Sequence, residues 1–363
     1  MRIDCLYKYL LPGRTIASCP GRGILYIILV GMLSSCSQNI IHPGDPVPVV
    51  FSATASHSTK AIITTTNYPL DEPFLVQAYH TSKGDKTSVL IERERVQYDF
   101  GTILWKTDNE YFWPEAGDIR FYAGSPILPE IGFTAENGMV ASWSIPGDEY
   151  TQTDLCFAEA TERCESHSAT VPIVFSHALS QVCFKARTLK QYSYSRQENN
   201  FIQANVITVV LDSVKLGGII SKGRFTQIPR GWELDGSETA VYTVYKNDEG
   251  LQLNCDRYDN PILEKLSTML LIPQSLPEGA YIEEWHHINV RSSITDLTTG
   301  QILSDGTNVL PVTQKISLKR YCPEWETDIK YTFRIAVGMD DPAEITTAVT
   351  DWTETKEIII GDE

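Results

Sequence analysis

Apolar side chains recur at every second position along much of this chain, and that spacing restricts its fold more than any other feature. Phe74, Val76 and Ala78 alternate with Leu75, Gln77 and Tyr79; Ile119, Phe121 and Ala123 alternate with Arg120 and Tyr122. The same holds for Ile207, Val209 and Leu211, and for Tyr331, Phe333, Ile335 and Val337. Period two in aromatic and β-branched residues predicts half-buried antiparallel strands. Gly, Pro, Asn, Asp and Ser fill the stretches between, as turns require. Only Pro261–Leu266 invites a helix, one or two turns long. No regular alternation of strand and helix exists, which excludes a parallel α/β sheet. The predicted class is all-β.

Between Val171 and Ala186 the alternation changes phase. Its apolar residues fall on odd positions at Val171, Ile173 and Phe175, then on even ones at Val182, Phe184 and Ala186. A strand cannot exchange faces without a bulge or a break. We place a domain boundary here, predicting two antiparallel β-sandwich domains in tandem over residues 49–172 and 173–363. Each segment is long enough to hold its own core.

The N-terminus carries a different signal. Arg14 and Arg22 precede the apolar run Ile24–Val30, and Met32-Leu33-Ser34-Ser35-Cys36 closes it. A basic region, a short apolar region and small residues before a cut predict a signal peptide over residues 1–35. The apolar run falls well short of the roughly 20 residues that span a bilayer. Leu-Ser-Ser-Cys resembles the bacterial lipoprotein lipobox, which implies lipidation of Cys36 and export to the outer membrane. Residues 36–48 include Pro43, Pro46 and Pro48 and read as an extended tether.

Charge excludes one class of partner. The chain carries −16, and its leader holds four cations against one acid, so the remainder carries −19. Such a surface repels nucleic acid phosphates. Of eight cysteines, Cys5 and Cys19 leave with the leader and Cys36 takes lipid. Cys156 and Cys164 are close enough in sequence to bridge a loop, but buried thiols acting as small apolar residues fit the five that remain better.

Sites for chemistry are few. His177 shares the apolar parity of Phe175 and neighbours Ser176 and Ser180, yet no Gly-x-Ser-x-Gly elbow accompanies it; it reads as a structural histidine. His286 and His287 point to opposite strand faces and cannot easily share one ion, so with Trp285, Glu283 and Glu284 they read as surface residues. Asp340-Asp341 reads as a turn, and Gly217-Gly218 lacks the strand-to-helix context of a phosphate loop. No enzyme, cofactor or metal is predicted. Trp105, Trp113 and Trp232 could stack on sugars if exposed, which makes a glycan-binding surface lipoprotein the alternative; core packing is the better reading.

The residues also carry a family resemblance. Lys60–Thr65 with Phe74–Tyr79 resembles the opening of the fimbrillin family, the lipoprotein pilins of Bacteroidales. Trp105, Tyr111–Pro114 and Ile119–Ala123 are similar to that family's aromatic block. Gln152–Ala158, Phe175–Phe184, Leu270–Gln274, Tyr331–Phe333 and Val349–Trp352 follow in the family's order. The resemblance implies two β-sandwich domains in a subunit, accessory or anchor component of surface fimbriae, with a receptor on a host or bacterial surface where it adheres. It implies other fimbrial subunits as partners and assembly by β-strand complementation. In the family an N-terminal strand is removed by proteolysis, and a C-terminal segment often serves as donor. Here the first strand would be Pro48–Ala53. No Arg lies between Cys36 and Lys60, so Lys60-Ala61 is the candidate processing site; without a cut, the chain would keep its strand and lipid as an anchor. Val349 and Trp352, or Ile358, Ile359 and Ile360, are the donor candidates, and the last three could equally be the final strand of their own domain.

Overall fold

The structure is a computed structural model that describes residues 46–55, 68–84, 86–148, 151–188, 192–255, 269–338, 344–351 and 358–360. Only the backbone is described at 192–194, 344–351 and 358–360. Among the described residues the regular elements are strands, apart from short 3₁₀ turns such as Cys164–Ser166. The expected helix at 261–266 lies outside the described residues.

The first nine strands are β1 (Phe51–Ala55), β2 (Phe74–Thr81), β3 (Thr87–Asp99), β4 (Leu104–Thr107), β5 (Asp118–Ser125), β6 (Ile131–Thr134), β7 (Gly138–Ser144), β8 (Cys156–Arg163) and β9 (Val171–His177). Seven of them close into a barrel in the order β1-β4-β3-β2-β5-β8-β9. Its pairings are antiparallel except at the closure, where β1 runs parallel to β9 from Phe51↔Val171 to Ala55↔Phe175. A parallel pair needs a long crossover, and the intervening barrel strands supply it. Alternation tells which residues face inward but not which strand lies alongside, so this pairing departs from the all-antiparallel expectation.

The barrel core follows the period-two reading. Phe74, Val76 and Ala78 of β2 meet Ile119, Phe121 and Ala123 of β5 and Val171, Ile173 and Phe175 of β9. Tyr68, Phe74, Trp105 and Phe175 form a ring cluster with centroids 4.6 to 5.7 Å apart. Each such contact adds about 0.5–1.5 kcal/mol to the burial itself. β2 is not half-buried as expected, because Leu75 on its other face belongs to a second core and Gln77 accepts the Arg93 backbone N–H at 2.8 Å.

The chain leaves the barrel at His177 and resumes as β10 (Ser180–Thr188), so Ala178-Leu179 is the break that the phase change demands. Then come β11 (Tyr192–Glu198), β12 (Phe201–Ile220), β13 (Lys222–Thr226), β14 (Gly231–Leu234), β15 (Thr239–Gln252) and β16 (Met269–Leu271). The last five are β17 (Tyr281–Asp296), β18 (Ile302–Ser317), β19 (Ile329–Val337), β20 (Glu344–Asp351) and β21 (Ile358–Ile360). One sheet runs β16-β10-β19-β20-β21, with β10 parallel to β19. Another runs β11-β12-β17-β18, with β15 also on β12. A third, β14-β13-β7-β6, joins strands from before residue 172 to strands from after it.

The second core lies among these sheets. Val182 and Phe184 of β10, Val209, Leu211 and Val214 of β12, and Phe333 and Ile335 of β19 are all within it. Gly217-Gly218 has a structural use here. Gly218 has φ +72°, the register shifts between Gly217 and Ile219, and the Tyr281 ring lies where a Cβ on Gly217 would be. Glycine is what lets β12 bend at that point.

Candidate functional site

The N-terminal strand is the element whose local structure bears most on assembly. Its residues alternate buried and half-buried, with Phe51 1% exposed and its ring edge-on to Phe121 at 5.9 Å. Main-chain bonds hold both sides of the segment. Val49 N–H donates to the Tyr111 carbonyl at 2.8 Å, and Trp113 N–H donates to the Val47 carbonyl at 2.9 Å. On the other side Val171 N–H donates to the Val50 carbonyl at 2.8 Å. Lifting out residues 47–55 would therefore unpair β9 and the Tyr111–Trp113 segment together and uncover the ring cluster. What remained would be a groove with main-chain donors and acceptors along its sides and an apolar floor.

The C-terminal candidates sit in a sheet of their own chain. Val349 of β20 pairs with Tyr331 on one side and Ile358 on the other. Ile358–Ile360 forms β21 at the edge of that sheet. An edge strand three residues long offers few bonds to hold it there. Cys36, Lys60, Ala61 and Trp352 lie outside the described residues.

Buried polar groups gather at two places. The first joins Asp154, Cys156 and His177 where β8 and β9 meet. His177 is 1% exposed and its Nδ1 lies 2.5 Å from Asp154 Oδ2. Ser180 points elsewhere, its Oγ donating to the Glu326 carbonyl at 2.8 Å. Cys156 and Asp154 both approach the same ring nitrogen, so no nucleophile–base–orienter relay is formed. The second place corrects the surface reading of residues 283–287. Glu284 and His286 are fully buried and 2.8 Å apart, while Trp285 is 45% exposed and His287 pairs with Asp212 at 2.8 Å. Ile282 and Ile288 share the parity of Glu284 and His286, and that inward parity was present in the sequence. The conspicuous Trp285 and the run of polar residues masked it.

Cys156, Cys164 and Cys322 are buried free thiols. Cys156 and Cys164 do not bridge because strand β8 lies between them and holds them about 26 Å apart at roughly 3.3 Å per residue. The tryptophans of the glycan reading are engaged in packing. Trp105 is in the barrel core, Trp113 stacks on His167 at 4.0 Å, and Trp232 Nε1–H donates to the Ala178 carbonyl at 2.8 Å. A separate cleft of about 740 Å³ is lined by Trp143, Lys222, Arg224, Glu233 and Asp235 among others.

The described elements make this an all-β protein in which β1 closes a barrel and the short β21 lies at a sheet edge. The profile of the fimbrillin-like family matches residues 59–352, and the chain belongs to that family. It is thereby a fimbrial component, a protein of the cell-surface fimbrium whose partners are other fimbrial subunits. Among solved structures it is similar to a candidate cell adhesion protein from Bacteroides uniformis, at 13% identity and TM-score 0.49 over 86% of this chain and 100% of that one. A second from Bacteroides ovatus has 14% identity and TM-score 0.47, covering 86% and 99%. The fimbrial anchor protein Mfa2 from Porphyromonas gingivalis has 12% identity and TM-score 0.33, covering 87% and 100%. No curated protein matches the sequence.

Proposed function

We propose that this chain is a non-catalytic fimbrial component, anchored in the outer membrane through lipid on Cys36, that joins its neighbours by strand complementation at the position of β1. The observation that carries this reading is the paired, core-covering placement of residues 47–55 ahead of every other described strand. A strand so placed can be exchanged without rethreading any other element, and an incoming strand would recover the main-chain bonds to β9 and fill the position of Phe51. The family match begins at residue 59, so β1 and everything before it stand outside the matched region. A cut after Lys60 would remove both lipid and β1 and leave the groove open to a donor, drawn from Val349–Trp352 or Ile358–Ile360 of the next subunit. A chain left uncut keeps its own strand in place and serves as an anchor or accessory. The domain division expected at residue 172 belongs to the same proposal, moved to the end of β9 because that strand stays in the barrel to His177, with the closing strand before it and the donor after it. Adhesion to a receptor on a host or bacterial surface would be the role at a filament tip.

The test is the mature N-terminus and mass of the native protein, taken separately from sheared filaments and from outer membranes. Acylated Cys36 in membranes with a new N-terminus at Ala61 in filaments is the expected pair for a polymerising subunit; acylated Cys36 in membranes alone identifies an anchor. Cys36→Ala should release the protein from the membrane fraction, and its retention there would sink the anchoring claim.

A further inference from the structure

We infer that Asp154, Cys156 and His177 form a binding site for one zinc-class divalent cation at the end of the barrel. The register places Cys156 directly opposite His177, and Asp154 stands two residues before Cys156. Cys156 Sγ lies 3.6 Å from His177 Nδ1 and 3.4 Å from Asp154 Oδ2. With zinc bonds of about 2.3 Å to sulfur and about 2.0–2.2 Å to nitrogen and oxygen, the edges of a tetrahedral site are about 3.6 Å for S···N and about 3.5 Å for S···O. Two of the three edges already have those lengths. The third, Nδ1···Oδ2, is 2.5 Å, a shared-proton distance that opens toward about 3.3 Å when a metal replaces that hydrogen bond.

A second observation points the same way. Asp154 Oδ1 has no hydrogen-bond partner among the described residues, although the side chain is only 9% exposed. A buried carboxylate oxygen left without a donor is costly. A cation held by Oδ2, Sγ and Nδ1 at three tetrahedral positions would also lie beside Oδ1 and give that oxygen the partner it lacks. The charges also close: one thiolate and one carboxylate balance a divalent ion, and the imidazole stays neutral, so the buried cluster carries no net charge. Glu72 and Asp328 act on Cys156 with further negative potential. A thiolate in the donor set selects against magnesium and calcium.

Binding is a proton exchange. The Cys156 S–H bond breaks, an S–metal bond forms, and the proton leaves to solvent. The proton shared between His177 Nδ1 and Asp154 Oδ2 passes to the other ring nitrogen, which leaves the imidazole neutral, its Nδ1 lone pair on the metal, and one proton released overall. Burial, with the charge of Asp154 second, pushes the thiol well above its ordinary value, so the free thiolate does not form unaided. All three donors come from β8, β9 and the residues just before β8, so a cation there would clamp the two strands together. It would pin β8 to β9 at the residue before Ala178, whose carbonyl Trp232 of β14 already holds.

The test uses the full chain, unfolded in guanidinium with a thiol-free reductant and refolded with zinc chloride or with a chelator. One zinc per chain surviving gel filtration is expected, with release of one proton and a change in tryptophan emission. Refolding with cobalt chloride should give the near-ultraviolet thiolate-to-cobalt band and the visible bands of a tetrahedral ion. Cys156→Ser should lose the thiolate band and Cys164→Ser should keep it. Should Cys156→Ser fail to fold, the unsubstituted chain still decides. Retention below about a tenth of an equivalent, or bound cobalt without a thiolate band, overturns the site. Equal zinc retention by a folded Cys156→Ser chain overturns it too.

Discussion

Replacing Phe51 by alanine isolates the closing strand. The side chain is 1% exposed, meets Phe121 edge-on, and stands opposite Trp105 in the β1–β4 register. Burying a phenylalanine stabilises by about 1.5–3 kcal/mol, and removing it from a packed core costs about 3–5 kcal/mol once the cavity is included. Against a typical total of about 5–15 kcal/mol, that loss is large. Urea unfolding of the uncut chain measures it, with Trp105 in the adjoining core as a reporter. Val174→Ala on neighbouring β9 is the control, because Val174 is 48% exposed and should change stability by less than about 0.5 kcal/mol. A second readout ties the stability to assembly: a synthetic peptide of residues 47–55 should bind the Phe51→Ala chain faster than the parent, since the resident strand is held less firmly. If Phe51→Ala costs less than about 1 kcal/mol, β1 does not close the barrel in solution, and the argument for exchange at that position fails.

Three further outcomes are expected. Gly218→Ala should destabilise by about 1–3 kcal/mol, because φ is +72° and the new Cβ would come 2.2 Å from the Gly279 carbonyl oxygen; an unchanged urea midpoint would refute the account of the β12 bend. Burial pushes Cys322 and Tyr242 each up to about 12, from ordinary values of 9.0 and 10.0. The folded chain thus holds these protons where the unfolded chain has lost them. This stability is complete below pH 9 and falls as pH rises to about 12, by at most about 1.4 kcal/mol per pH unit per group. Tyr242→Phe should flatten the part of that fall above pH 10, and an unaltered slope would remove burial as its cause. A chain ending at Asp351 lacks the short edge strand β21 and should keep most of its stability while losing denaturant-resistant ladders; ladders of undiminished length would exclude Ile358–Ile360 as donor.

Class was legible because period two survives in short windows. The apolar parity of β2, β5 and β9 marks their inward residues, and the phase change between Val171 and Ala186 asks for a bulge or break without saying where; the structure has it at Ala178-Leu179, between β9 and β10. The partners of those strands were not legible. The pairings of β1 with β9 and of β10 with β19 join segments more than a hundred residues apart, and nothing local in Phe51–Ala55 names Val171–Phe175. Polar residues on an inward face were missed for a related reason. Glu284 and His286 each find a partner two residues away, so the pair satisfies locally what composition alone reads as a demand for solvent. The Asp154–Cys156–His177 cluster needs the β8–β9 register as well as the sequence, since the histidine follows the cysteine by 21 residues.

The parallel direction of β1 also sets how the chain meets tension. Force entering at the N-terminal end of β1 and leaving through the chain beyond β9 pulls two parallel neighbours toward opposite ends. Their cross-strand bonds are then loaded side by side and must give way together. In an antiparallel pair the two ends lie together, and the same bonds would open one at a time like a zip. Were the chain anchored through Cys36 as proposed, a pull on that tether would load this seam in shear, and its resistance to drag would depend on bonds breaking together and not on equilibrium stability.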